Sequence, residues 1–164
     1  MWLICAEIKG EERRECQNSL KKFLEGKFLT EDDWSEHLKE AHRIAPSMTP
    51  HAFASYTTVE GKNSYELLVE KIPDHLAHPV QVVDLACGDG FLVPYLLLRL
   101  GKTSRVLGVD MSEGEIHIAM KSIVDSRVSF HLAAAQNLPG VDHSTDFIVS
   151  FGTHAHASHR AGRK

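Results

Sequence analysis

The chain has little cysteine. Three occur in 164 residues, Cys5, Cys16 and Cys87. An odd count without ligand-like spacing argues against a disulfide framework and fits a reducing compartment. Long apolar runs are missing as well, and none approaches the roughly 20 residues needed to cross a bilayer. The opening Met1-Trp2-Leu3-Ile4-Cys5-Ala6-Glu7 is too short and too soon acidic for a secretory signal. No excess of positive charge exists: 18 Lys and Arg stand against 22 Asp and Glu, for a net charge of -4. That balance gives no dominant pull toward nucleic acid. Eleven histidines is a high count, but they are scattered. His154, His156 and His159 crowd the end with no Cys or acid cluster beside them, so no metal is expected. The expected setting is cytoplasmic, with no membrane and no nucleic-acid partner.

What is present falls into two textures. Residues 1–79 read as a helical cap. Glu11 to Glu25 is charged, with Leu20, Phe23 and Leu24 as an apolar stripe. Thr30 suits an N-cap, with Asp32 and Asp33 in the first turn. Trp34, Leu38, Ala41 and Ile44 follow at helical spacing, and Pro46 stops the run. Thr49-Pro50 reads as another cap with proline at the first helical position. Ser64 is expected to cap a helix through Tyr65, Leu68 and Ile72, ended by Pro73.

From residue 80 to 151 the pattern alternates. Val80–Leu85, Arg105–Val109, Val128–Ala133 and Asp146–Phe151 are β-rich runs. Helical segments over Phe91–Leu100 and Ile116–Ile123 separate the first three, the second capped by Ser112. Strand, helix, strand, helix, strand and strand predict an α/β fold, a doubly wound parallel sheet with helices on its faces.

The candidate site lies where the first strand ends. Val82-Val83-Asp84-Leu85-Ala86-Cys87-Gly88-Asp89-Gly90 passes from an apolar run through an acid into a glycine loop. Gly88 and Gly90 take backbone angles that side chains forbid and let a ligand touch the main chain. The second strand ends in Asp110, 22 residues past Gly88. A carboxylate there can accept hydrogen bonds from both hydroxyls of a ribose. A nicotinamide dinucleotide is disfavoured. Its Gly-x-Gly-x-x-Gly fingerprint lacks the third glycine here, and Asp84 and Asp89 would repel a pyrophosphate. Cys87 reads as packing, because no base stands beside it.

These residues resemble the class I methyltransferases that use S-adenosylmethionine. Asp84-Leu85-Ala86-Cys87-Gly88-Asp89-Gly90 is similar to that family's first motif, and Gly108-Val109-Asp110-Met111-Ser112 to its second. Gln136-Asn137-Leu138-Pro139 and Thr145-Asp146-Phe147-Ile148-Val149-Ser150 resemble its third and fourth segments. The resemblance implies a Rossmann-like sheet of order 3-2-1-4, incomplete relative to the family's seven strands, under an N-terminal helical cap. It implies S-adenosylmethionine as cofactor. Asp84, Ala86, Cys87, Gly88, Gly90, Asp110, Met111, Ala135 and Gln136 are the residues expected to hold it. One departure is that the acid usually placed before an alanine in the third segment is replaced by Ala134 and Ala135. Backbone contacts at Ala135 and Gln136 are then expected to read the adenine edge.

Methyl transfer from a sulfonium is a direct displacement, so positioning and water exclusion are the main tasks. His131 and His143 read as packing or surface residues, and no catalytic base is assigned. Phe53, Tyr56 and Tyr65 are candidate lid aromatics or core residues. The acceptor is not identified. A non-catalytic remnant or a regulatory cofactor-binding module is the alternative function. Residues 152–164 fit no helix pattern and are expected to be a frameshift product, a splice end or vector sequence. On that expectation the domain is truncated, the open edge of strand four invites self-association, and activity is impaired. All three cysteines should titrate as thiols under denaturing conditions; a count of one would reveal a disulfide.

Overall fold

Four short β-rich runs, each entered or left through a polar turn, build one parallel sheet. The computed structural model describes residues 30–47, 53–74, 76–138 and 144–151, with residues 10, 11, 14, 17, 18, 21, 22, 25, 26 and 50. Two helices come first, α1 (Glu31–Ile44) and α2 (Ser64–Val69). The alternating part follows as β1 (Gln81–Leu85), α3 (Val93–Arg99), β2 (Arg105–Asp110), α4 (Glu113–Ser122), β3 (Val128–Leu132) and β4 (Phe147–Val149). The sheet order is β3-β2-β1-β4 and every pairing is parallel. The order expected from the sequence is the order found.

Register puts Val82 beside Val106 and Phe147, and Val106 beside Val128. Side chains at one level of adjacent parallel strands share a face. Val82 and Val106 therefore pack into one core with Val93, Leu96 and Leu100 around α3, and Tyr65, Val69 and Ile72 around α2. Val82, Val93 and Leu96 are completely buried. Val83, Leu107 and Val109 form a smaller cluster on the opposite face with Leu85 and Ala133. Burial on both faces explains why β1 and β2 read as unbroken apolar runs. Ser150 donates to the Leu85 carbonyl at 2.8 Å, tying the exit of β4 to the exit of β1. At the other end of the sheet Asp146 and Gln81 exchange hydrogen bonds of 2.8 and 2.9 Å.

The helix ends agree with local chemistry in most places. Thr30 and Asp33 make a reciprocal capping box on α1, with bonds of 3.0 and 3.1 Å. Ser112 caps α4 by accepting from the Glu115 N–H at 3.4 Å. Several expectations need correction: α2 ends at Val69 and does not run through Ile72, and β4 spans Phe147–Val149 and not Asp146–Phe151. Asn63, not Ser64, caps α2: its Oδ1 accepts from the N–H groups of Tyr65 and Glu66, both at 3.0 Å. Asn competes as well as Ser for that role, and Asn63 can also receive the Glu66 carboxylate on its own N–H at 2.7 Å. Next, α3 starts at Val93 and not at Phe91, because a turn from the Gly90 carbonyl to the Val93 N–H occupies the intervening residues. The stripe Leu20, Phe23 and Leu24, the Trp34 side chain, Thr49, Cys5, Cys16, Pro139, His143 and residues 152–164 lie outside the described residues. Among the described residues no helix is long and apolar enough to cross a membrane.

Gly108 sits inside β2 for a steric reason. A Cβ there would lie 2.5 Å from Cδ1 of Phe130 and 3.0 Å from Sγ of Cys87. Gly108→Ala should therefore cost about 1–3 kcal/mol through overpacking. Gly114→Ala, whose added methyl would meet only Ser112 Oγ at 4.0 Å, should be neutral or stabilising. Paired urea melts of the two variants check this; equal midpoints would refute it.

Candidate functional site

Parallel strands bring their carboxyl ends to one side of the sheet, and the loops that leave them meet there. The loop after β1 is unusual in its backbone. Ala86, Gly88 and Gly90 have φ of 57°, 54° and 80°. Alternate residues in the left-handed region give the loop its sharp course. Ala86 does this without glycine's freedom, at a cost of about 1 kcal/mol.

The two glycines serve different ends. A Cβ at Gly88 would meet nothing within 4 Å among the described residues, at the sheet's carboxyl end. A Cβ at Gly90 would lie 2.7 Å from Cδ1 of Ile123 and 3.3 Å from both Ala119 and Phe130. Gly90 thus lets the loop lie close against α4 and β3, where a side chain would not fit. Cys87 also faces inward. It is buried, its N–H donates to the Val109 carbonyl at 3.0 Å, and burial pushes its thiol pKa far up, with Asp84 and Asp110 adding to the effect. A thiol so disposed is inert, as the sequence suggested.

Asp110 binds the loop to the second strand. Its Oδ2 accepts the Gly88 N–H at 2.9 Å and its Oδ1 accepts the Ser112 N–H at 2.8 Å. Each carboxylate oxygen keeps a further lone pair. Met111 follows, half-buried. Ala135 and Gln136 lie in an exposed turn past β3, a strand anchored by the Ala133 N–H on the Asp110 carbonyl at 2.9 Å. Asp84 sits one residue before the end of β1, 1% exposed, and its Oδ2 has no hydrogen-bond partner among the described residues. Burial, and then the charge of Asp110, push its pKa up to about 7.

The expected aromatics separate. Tyr56 and Phe53 are exposed and Tyr65 is buried. Tyr65 packs on Phe91 and Phe151, with ring centroids 4.9 and 4.2 Å apart. His131 is an exposed strand residue. Among the described residues no cluster could hold a metal ion. The sequence reading missed a contact between the cap and this end of the sheet. Glu115, buried in the first turn of α4, accepts from His42 Nδ1 of α1 and from the Ser47 N–H, both at 2.9 Å. Its sequence signal is an acid four residues before Ala119, on the apolar face of the helix.

Comparison with known proteins fits this geometry. Residues 82–164 match the family model described as "Methyltransferase domain". The chain belongs to that family. The chain is 24% identical over 101 residues to the malonyl-[acyl-carrier protein] O-methyltransferase of Priestia megaterium, covering 62% of this chain and 36% of that protein. It is 31% identical over 104 residues to methyltransferase GfsG of Streptomyces halstedii, covering 61% and 36%. The chain thus spans about a third of the length of these relatives. A SAM-dependent methyltransferase of Aquifex aeolicus, solved by crystallography, aligns with a TM-score of 0.46 at 23% identity, covering 53% of this chain and 47% of that one.

The raised Asp84 pKa has a definite sign. The unfolded chain releases this proton in the ordinary carboxylate range while the folded chain holds it to about 7. Stability therefore falls as pH rises across that window and stays low above it. Asp84→Asn should flatten the decline and raise the melting temperature at pH 8, by a stabilisation on the order of a few kcal/mol. Thermal melts of parent and variant across that range decide; parallel curves would mean that Asp84 is not held protonated.

Proposed function

We propose that the loop end of the sheet binds S-adenosylmethionine and that the chain serves methyl transfer. The observation that carries this reading is the Asp110 carboxylate. It is held at the tip of β2 by the Gly88 and Ser112 N–H groups, with lone pairs left for a ribose diol. The open space at Gly88 among the described residues gives an adenosine ligand room to approach the main chain. Asp84 supports the same reading. A buried carboxylate oxygen without a partner costs free energy, and a ligand amino group would supply the missing donor. Asp84, Asp89 and Asp110 lie together around this loop, which disfavours a pyrophosphate and hence a dinucleotide.

In this reading Asp110 orients the ribose and Gly88 passes closest to the ligand. Met111 and the Ala135–Gln136 turn flank the adenine. Ala86 and Gly90 shape the loop, and Cys87 fills the space beneath it. The bound sulfonium supplies an activated methyl group. The chain's own residues then have to orient that group and keep water away. The two relatives named as methyltransferases match the stretch that contains this loop, which favours the same chemistry.

Calorimetry with S-adenosylhomocysteine tests the site, with NADH as the competing ligand. The parent should bind the former and not the latter. Asp110→Ala removes charge-assisted hydrogen bonds of roughly 1.5–3 kcal/mol each, so affinity should fall at least about tenfold. Asp110→Asn, which keeps the shape, should fall less. Gly88→Val, which fills that space and also strains the left-handed backbone there, should abolish binding while circular dichroism shows the strands and helices retained. Undiminished binding by Asp110→Ala, or binding of NADH instead, would overturn the proposal.

A further inference from the structure

One run of hydrogen bonds leads from the glycine loop into the cap. The Gly88 N–H donates to Asp110, and the Ser112 N–H donates to the other oxygen of the same carboxylate. The Glu115 N–H donates to Ser112 Oγ. Glu115 Oε1 then receives His42 Nδ1 and the Ser47 N–H at 2.9 Å each. Glu115 is 1% exposed, and its Oε2 has no hydrogen-bond partner among the described residues. A carboxylate buried on an otherwise apolar helix face is costly unless a cation and hydrogen bonds compensate it. His42, with a side chain 21% exposed, is the cation within reach. Ser47 bonds Glu115 from a left-handed conformation, φ 58°, which a non-glycine residue adopts only when its surroundings impose it.

We propose that Glu115 and His42 form a proton-dependent clasp that holds α1 at the glycine-loop end, which makes Glu115 a positioning residue for the ligand bound there. The effect on ligand rests on the cofactor reading above; the clasp itself does not. Among the described residues the charged groups that act on His42 are Glu115 on α4, Asp110 at the tip of β2 and Asp89 in the loop. All are acids. Burial alone would lower the His42 pKa, but the Glu115 hydrogen bond and charge outweigh it, Asp110 and Asp89 add to them, and the net shift is upward from 6.5. The clasp is therefore at full strength below that ordinary value and is lost as pH rises through the higher folded value. Affinity for a ligand held under α1 should follow the same curve.

The test uses the full chain. Amide exchange of α1, corrected for intrinsic rate, is followed from about pH 5.5 to about 8.5 in the parent, Glu115→Gln and His42→Gln. In the parent, α1 protection should fall as pH rises. In both variants it should be low throughout, while β1 and β2 amides keep parental protection. S-adenosylhomocysteine affinity should fall severalfold across that range in the parent. In the variants it should sit near the parent's high-pH value at every pH, apart from the contribution of Asp84, which titrates in the same window and is present in all three proteins. A His42→Gln protein with the parent's pH dependence, or α1 protection that survives Glu115→Gln, would overturn the clasp. If α1 protection behaves as expected and the parent does not bind S-adenosylhomocysteine, the clasp stands and the cofactor reading falls.

Discussion

A single carboxylate at the tip of β2 has to be in place before the rest of this end of the sheet can take shape. Asp110 receives the loop that leaves β1 on one oxygen and the turn that starts α4 on the other. Its carbonyl anchors the exit of β3. Three chain segments, far apart in sequence, are thereby fixed to one residue. The left-handed course at 86, 88 and 90 is sustained by this tether and by the Cys87 N–H on Val109, because a loop with such angles would not hold them unaided.

Gathering acids in this way has an electrostatic cost, and the structure meets it in two ways. Asp84, fully buried, takes up its proton near pH 7, since burial and the neighbouring Asp110 both oppose its ionisation. Glu115 is met by His42 instead, brought in from the cap. One acid is neutralised by a proton and the other by a counter-charge from a distant helix. Both remedies act near neutral pH, so this end of the sheet responds to it.

The strands were legible because parallel strands buried on both faces must be apolar along their length, and because Asp84 and Asp110 punctuate their ends. The glycine loop was legible as a loop. Its division of labour was not: Gly88 and Gly90 both have positive φ, and only Ile123, Ala119 and Phe130, brought up by the fold, show that Gly90 serves packing. The same holds for Gly108, whose need arises from Phe130 on the neighbouring strand. The cap of α2 was misplaced by one residue because Asn63 and Ser64 are both good caps, and the choice turned on which one Glu66 could reach. The clasp joins residues 73 apart in sequence, and no local pattern ties His42 to Glu115. The sequence did place the acid on the apolar face of α4, where an ordinary helix would bury a hydrocarbon.

The strand order also governs how the chain can assemble. β1 lies in the middle of the sheet, yet its two neighbours come from very different distances: Val82 pairs with Val106 on one side and with Phe147 on the other. The β1–β2 contact closes a crossover built on one helix. The β1–β4 contact must enclose that whole unit together with α4 and β3, and loop closure grows more costly with length. The short β4 has only three residues to offset that cost. Loop entropy therefore favours forming the β1–β2–β3 wing, with its glycine loop already tied to Asp110, before β4 docks on β1. The residues that shape the candidate site belong to the early wing, and β4 docks beside a glycine loop whose tether is already in place.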